Sequence, residues 1–448
     1  MNQTIAQKKW IIPEDYSRSA WYFCISKLKT RKDLMEARRV VISGMGTINP
    51  LGNNVEETWS NVLAGKCAVG KITKFDSSTL PCQIAAEIKD FDYKKYYSEE
   101  QLKVAKRMDL FCHYAAAAMK EAYESSGVTI EDPYRTGLII GSGIGGLAVQ
   151  HENSVALATK GARRISPFYI PLSIGNIAAG FISMLYGIKG PNMSVQTACA
   201  TSNHAFAVSA MIIKSGMADV MFAGGAEGTI TELALGGFSN MRAVSIRNDS
   251  PETASRPFDK DRDGFVMGEG SGILVLEEYE HDKKRGANII CELLSSGMTG
   301  DAYDFVAPDP EGNGAYASMK MALDMGGINP ERIDYINTHG TSTPVGDIAE
   351  SKAILKLLNN DEKNVCVGST KSMHGHVLGA AAAVEGIICA MAIKEGKVPK
   401  NINIFSQDPE IKLTSLNREV VEKNVNIALS NSFGFGGHNS TIVLGKLK

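Results

Sequence analysis

Cys199 sits in the segment Ser194-Val195-Gln196-Thr197-Ala198-Cys199-Ala200-Thr201-Ser202, where an apolar, β-branched run ends and a helical pattern begins. Ala205, Val208, Met211 and Ile212 recur at helical spacing and predict one apolar helix face. The sulfur is therefore expected at a strand-to-helix junction, near the positive end of a helix. The N–H groups and dipole there favour thiolate over thiol, and the thiolate is the nucleophile. Taken alone, the segment fits a small buried cysteine better, the common fate of a free thiol.

Three further segments change that judgement. Ile333–Thr338 reads as a strand and ends in His339-Gly340-Thr341-Ser342-Thr343-Pro344. A second strand pattern, Val365-Cys366-Val367-Gly368, leads to Ser369-Thr370-Lys371-Ser372-Met373-His374-Gly375-His376. A third, Val425–Leu429, leads to Asn431-Ser432-Phe433-Gly434-Phe435-Gly436-Gly437-His438. With Cys199 these make four polar or Gly-rich turns after strands. Open parallel sheets gather ligands at the carboxyl ends of their strands, so the four turns are expected to converge on one pocket. Each histidine alone would read as an exposed or hydrogen-bonded loop residue, and His374 and His438 keep that reading. The His374-Gly375-His376 spacing is not a helix-face metal pair, and no acidic partner lies four residues on, so no metal site is expected.

The elements that must carry these turns alternate. After residue 36, helical and strand patterns follow one another to the C-terminus, which predicts a layered α/β fold. Ser194–Gly225 reads as strand, reactive turn, small-residue helix and strand, and Asn364–Lys394 echoes it. The echo predicts two related halves, residues 36–287 and 288–448. Core-like sequence begins at Arg38-Arg39-Val40-Val41-Ile42-Ser43-Gly44, read as a strand entering a glycine turn. Residues 1–35 differ, being polar and mildly basic and holding Trp10 and Trp21. They are expected to be a non-core or disordered extension, removable up to Met35 without loss of fold. An organelle-targeting peptide, which would place the protein in an organelle stroma, is the alternative; Glu14, Asp15 and Asp33 count against it.

Composition narrows the function classes. The 448-residue chain is 44 % hydrophobic and 21 % charged with net charge −2, an ordinary globular balance that gives no support to bulk nucleic-acid binding. Glycines cluster at Gly141–Gly146, Gly224-Gly225, Gly268–Gly272 and Gly434–Gly437, where backbone can pass close to a substrate. The eight cysteines include no Cys-x-x-Cys pair, which predicts reduced thiols in a reducing, cytoplasmic compartment. No apolar run reaches the ~18 residues of a membrane span. Gly379–Ile393 comes nearest, and Glu385 breaks it.

Together the motifs resemble those of the β-ketoacyl-[acyl-carrier-protein] synthases of the I/II type, in the thiolase superfamily. Thr197–Ser202, His339–Pro344, Ser369-Thr370-Lys371 with Gly375-His376, and Asn431–Gly437 carry the resemblance, joined by Arg256–Phe265 and Glu269-Gly270. Several ordered motifs together are specific where one alone would not be. The resemblance implies a thiolase-like layered αβαβα fold, a homodimer, and a catalytic Cys-His-His set at Cys199, His339 and His376. Relatives that condense from acyl-coenzyme A carry Asn at the last position, and thiolases replace one His with a second Cys. His376 therefore implies carrier-protein-bound substrates. Lys371 paired with Glu385 is implied near the site.

The implied reaction is a decarboxylating condensation. Cys199 takes an acyl chain from acyl-carrier protein, malonyl-carrier protein loses CO2, and the carbanion attacks the Cys199 thioester. The amides of Cys199 and Phe435 would form the oxyanion hole, and Thr341 and Thr343 would hold the phosphopantetheine arm. That arm arrives on the substrate, so no separate cofactor is expected. Ile144, Phe238 and Phe435 would line the acyl pocket. Carrier proteins are acidic, so a basic rim is expected. Arg163, Arg164 and Arg242 occupy docking positions in the family, while Lys103, Lys106, Arg107 and Lys160 fit docking or ordinary solvated charge alike. Departures at His374, His438 and Asn203-His204 touch no catalytic position but are expected to alter the pocket wall. Fatty-acid elongation is the reading; a stand-alone polyketide ketosynthase shares these motifs, and a chain-length-factor-like subunit would have lost the nucleophile.

Overall fold

Strands buried on both faces read as unbroken apolar runs rather than alternating ones. The computed structural model describes residues 38–447, and the readings made for residues 1–35 lie outside them. The first such run forms β1 (Val40–Ile48), buried at every position. It does not turn at Gly44. It bulges between Ile42 and Gly44 and continues, because a helix lies so close that a Cβ on Gly44 would stand 2.7 Å from Ala122 O. The glycine serves close packing instead of a turn.

Nine further strands join β1 in one sheet. They are β2 (Thr136–Gly141), β3 (Asn192–Met193), β4 (Val220–Glu227), β5 (Gly270–Glu278), β6 (Cys291–Gly300), β7 (Tyr335–Asn337), β8 (Cys366–Gly368), β9 (Ile427–Gly434) and β10 (His438–Gly445). Their order is β8-β7-β9-β10-β6-β1-β5-β4-β2-β3. From the centre outward, the first five strands run 1-5-4-2-3, and the last five repeat that order in the opposite direction. The two halves meet antiparallel at β1 and β6, through Val41 with Glu292 and Ile42 with Cys291. Within each half, the strands ending in the expected turns lie parallel (β4 with β2, β2 with β3; β9 with β7, β7 with β8). Their carboxyl ends therefore point one way.

Helices complete five layers. α1 (Leu110–Ser126) covers the outer face of β1, β4 and β5. α2 (Thr201–Lys214) lies on the inner face of the first half, and α3 (Asn313–Gly326) and α4 (Pro344–Leu357) cover the second. α5 (Ala381–Glu395) packs in the middle layer against α2, and Ala381–Ile393 are all buried. A helix apolar on every side belongs at the centre of a protein or in a membrane. The Gly379–Ile393 stretch is thus the central helix, and Glu385 is its one buried charge. Among the described residues no helix is long and apolar enough to cross a membrane.

Candidate active site

The run before Cys199 pairs as a strand only at Asn192–Met193, and Ser194–Thr197 continue as irregular chain. Ala198 then takes φ 49°, an uncommon value for a residue with a Cβ, and Ala198–Ala200 form one tight turn feeding α2. Cys199 thus stands at a helix start, as its spacing predicts. The expected helix face is corrected at Met211, which is 49 % exposed, while Ala205, Phe206, Ile212 and Ile213 are buried. The thiolate expectation is corrected too. Burial pushes the Cys199 thiol up to about 12, and the Lys371 charge and the residue's own amide offset only part of it. In an interior this dry, desolvation of the anion outweighs the helix terminus.

His376 Nε2 lies 3.0 Å from the Cys199 Sγ. The residue is anchored by its backbone and its ring by an aromatic neighbour. The backbone N–H of His376 donates to Val266 O at 2.7 Å, and the ring itself stands edge-on to Phe265 with centroids 5.3 Å apart. His339 meets His376 edge-to-face at 5.4 Å. The Cys199 sulfur and one nitrogen of each histidine lie within 4.8 Å of one another. Burial, then the nearby Lys371 charge, holds both imidazoles well below the usual histidine range. Both are therefore neutral at pH 7, each with one N–H to donate.

The His339 turn follows β7 and is fixed by a carboxylate on α4. Glu350 accepts the N–H groups of His339 and Gly340, each at 2.8 Å, and the Asn431 side chain at 3.2 Å. Burial pushes Glu350 up to about 7, offset in part by those donors. Thr341 Oγ1 and Thr343 Oγ1 lie 3.1 Å apart just beyond. Beneath the histidines Lys371 pairs with Glu385, both fully buried. Burial raises the Glu385 carboxyl and Lys371 pulls it back.

These turns open on one cavity of about 470 Å³. Cys199, His339, Thr341, Thr343 and His376 line it together with Ile144, Phe238, Phe435 and Arg242. The convergence expected of the four turns is observed. The third is shorter than its sequence suggests, because Asn431–Gly434 stay within β9. Gly434 lies so close to the nucleophile turn that a Cβ there would sit 2.6 Å from Thr197 O. Lys371 and Glu385 lie under the cavity and are not on its wall. Arg163 and Arg164 sit on the exposed turn Ala162–Arg164, away from the lining residues, and Lys103, Lys106, Arg107 and Lys160 are exposed.

The departures do not reach the wall. His374 is fully buried and bonds Thr370 Oγ1 at 3.0 Å, and His438 is exposed. The Asn203 amide donates to Ser430 O and Ser440 O, and His204 Nδ1 faces Thr197 Oγ1 and Ala200 O. Sequence reasoning missed Glu350, Glu227 and the Val306-Ala307-Pro308 stretch of the cavity mouth. A signal existed for the two acids: each is a lone glutamate in an otherwise small or apolar segment, Gly224-Gly225-Ala226-Glu227 and Ile348-Ala349-Glu350.

Comparison with known proteins agrees with this geometry. The family model for "Beta-ketoacyl synthase, N-terminal domain" matches residues 37–282, and that for "Beta-ketoacyl synthase, C-terminal domain" matches residues 290–405. A Coxiella burnetii protein named 3-oxoacyl-[acyl-carrier-protein] synthase 2 is 48 % identical over 92 % of this chain and 100 % of its own length. A protein of the same name from Synechocystis is 45 % identical over 92 % and 99 %. Among solved structures, the ishigamide ketosynthase/chain length factor superposes with a TM-score of 0.83 at 32 % identity, covering 92 % of this chain and 100 % of that one. A type II polyketide ketosynthase, solved with its acyl-carrier protein, gives 0.83 at 30 % identity, with 92 % and 100 % covered.

Proposed function

Because this chain belongs to the β-ketoacyl synthase family, we propose that it condenses an acyl chain held on Cys199 with malonyl-acyl-carrier protein, giving 3-oxoacyl-acyl-carrier protein in fatty-acid elongation. The observation that carries this reading is the Cys199 sulfur 3.0 Å from His376 Nε2, with His339 beside them on one cavity wall. In the first half-reaction the sulfur attacks the acyl thioester carbonyl and its proton passes to His376 Nε2. The carrier thiolate leaves and takes that proton. The Cys199 and Phe435 amides would hold the transient oxyanion, each donor being worth ~3 kcal/mol. Both ionised forms are disfavoured at rest, so the proton moves only as the carbonyl is attacked.

In the second half-reaction, neutral His339 and neutral His376, the latter now carrying its single ring proton on Nε2 and not on Nδ1, would donate hydrogen bonds to the malonyl thioester oxygen. Carbon dioxide leaves, the enolate carbon attacks the Cys199 thioester, and the sulfur departs. Thr341 and Thr343 line the approach for the phosphopantetheine arm, and no separate cofactor is needed. Arg242 at the cavity mouth, with Arg163 and Arg164 on their exposed turn, would meet the acidic carrier protein. The relatives named 3-oxoacyl-[acyl-carrier-protein] synthase 2 are 45–48 % identical and the type II polyketide structure 30 %, which favours elongation. Mixing the protein with acyl- and malonyl-carrier protein and weighing the product tests it. Absence of 3-oxoacyl product at every chain length would refute it.

Two further points belong to the reading. The seven cysteines among the described residues are free, as a cytoplasmic protein requires. A homodimer would use the sheet edge, where β3 is exposed at Asn192 and Met193 beside exposed Ile170, Ile174 and Met184. Edge strands left open invite pairing with a second copy. Light scattering that gives a monomer mass at micromolar concentration would reject this.

A further inference from the structure

Glu227 ends β4 and is fully buried, yet no countercharge among the described residues contacts it. It is surrounded by donors instead. Its Oε1 accepts the Ser142 hydroxyl at 2.9 Å, and its Oε2 accepts Gly143 N at 2.8 Å and Gly379 N at 3.0 Å. The Ile144 amide adds a further bond. These donors come from two separate turns. Ser142, Gly143 and Ile144 follow β2, and the last two line the cavity; Gly379 follows His376 and precedes α5. The two turns touch backbone to backbone, so a Cβ on Gly379 would lie 2.3 Å from Gly143 N. The far side of the Gly379 peptide is also held, since Ser202 on α2 donates to its carbonyl at 2.6 Å.

The repeat in the fold explains what Glu227 is filling. Ala198–Ala200 and Leu378–Ala380 are equivalent tight turns. Each enters a middle-layer helix, and each opens on a left-handed residue, Ala198 at φ 49° and Leu378 at φ 48°. Cys199 and Gly379 are thus counterparts. The Cys199 amide sits beside its own sulfur at the cavity, whereas the Gly379 amide is taken by a carboxylate. Glu227 itself is the counterpart of Gly434, the last residue of the equivalent eight-residue strand, which lies against Cys199. A small residue in one half leaves the amide cradle open, and a long acid in the other half fills it.

We propose that Glu227 is a positioning residue that locks the Ile144 turn to the Leu378-Gly379 turn, so that Glu227 sets which acyl lengths the cavity accepts. Ile144 and Leu378 both line the cavity, one on each tied turn. A long chain that displaces Ile144 must therefore strain the turn that follows His376. The proposal rests on the reading of the cavity as an acyl site, and wild-type condensation tests that reading by itself.

The test is the ratio of kcat/KM for long against short acyl-carrier protein. Glu227→Gln keeps the shape, removes the charge and points a donor at Ser142. Weakening that contact should move the ratio about tenfold or more. A merely structural role would lower both activities by one factor and leave the ratio unchanged. Ile144→Ala should also move the ratio, and the double variant should show less than the product of the two effects, because the residues act through one contact. If Glu227→Gln does not fold, Ser142→Ala, which removes one donor from the same clasp, gives the same readout. Wild-type turnover with an unchanged ratio in the folded variant, or full additivity in the double variant, would overturn the proposal. Absence of wild-type turnover would overturn the acyl reading beneath it.

Discussion

Both halves of the sheet bring a tight turn into a middle-layer helix at the same point, and they differ in what precedes it. In the first half four residues separate Met193 from Ala198; in the second, nine separate Gly368 from Leu378. The extra length carries Lys371, His374 and His376. On the proposed reading, one half supplies a nucleophile on the shortest path, and the other supplies a base and the lysine of a buried ion pair on a longer one. The turns after β2 and β7 diverge in the same way, one placing Ile144 on the cavity wall and the other presenting His339. A duplicated frame sets where the four turns meet, and the chemistry comes from unequal lengths and unequal residues on them.

The sharpest break of that division is at Cys199. Cys199→Ala should abolish the acyl-enzyme and condensation. An acyl adduct in the intact mass of that variant would move the nucleophile elsewhere. The second half should then retain its own task. Malonyl decarboxylation is expected to survive Cys199→Ala and to fall about 10²–10³-fold in His339→Ala or His376→Ala, the usual loss for one oxyanion donor. A His339→Ala enzyme that releases CO2 at the wild-type rate would show that the halves do not divide the reaction.

Much of this was legible in the sequence, for a physical reason. The catalytic turns follow apolar runs, and a turn after a strand is visible as a change of period. Hence Cys199, His339, His376 and the echo between Ser194–Gly225 and Asn364–Lys394 were readable. Glu350 and Glu227 stood out only as lone acids in small or apolar segments, and their roles were not readable, because each acts on the backbone of another turn. Glu350 reaches His339 across eleven positions and Glu227 reaches Gly379 across 152. Gly44 was misread because a glycine that permits close approach and one that permits a turn are the same letter. The thiolate was misread because a helix start is visible in sequence and dryness is not.

A third test concerns the tunnel turn. Ile144 is partly buried and packs in a cluster with Phe238, Leu378 and Cys199. Ile144→Phe should cut kcat/KM for long acyl chains about tenfold or more relative to short ones, since overfilling a packed site costs ~1–3 kcal/mol. Equal ratios in the two enzymes would take Ile144 off the tunnel wall. The fourth concerns the resting nucleophile. With the thiol pushed up to about 12 by burial, alkylation of Cys199 by iodoacetamide should rise about tenfold per pH unit from neutral pH to at least pH 9. A plateau below pH 8 would mean that the helix start and Lys371 outweigh burial after all.

The smallest effect tests the frame itself. The first strand of each half lies against an outer helix through glycine. A Cβ on Gly46 of β1 would stand 2.1 Å from Ala118 O and 2.5 Å from Ala122 N of α1. A Cβ on Gly297 of β6 would stand 2.0 Å from Ser318 O and 2.7 Å from Ala322 N of α3. The neighbours are backbone atoms within a helix, so neither can move without shifting the helix. Gly46→Ala and Gly297→Ala should each destabilise the fold by ~1–3 kcal/mol, the cost of one forced methyl in a packed core. Gly70, with nothing within 4 Å of its Cβ position, is the control and should tolerate alanine. The measurement is the midpoint of thermal unfolding. Similar losses at Gly46 and Gly297, with none at Gly70, would show that both halves rest on the same strand-to-helix contact. A loss at only one of the two would show that the repeat survives in strand order but not in packing.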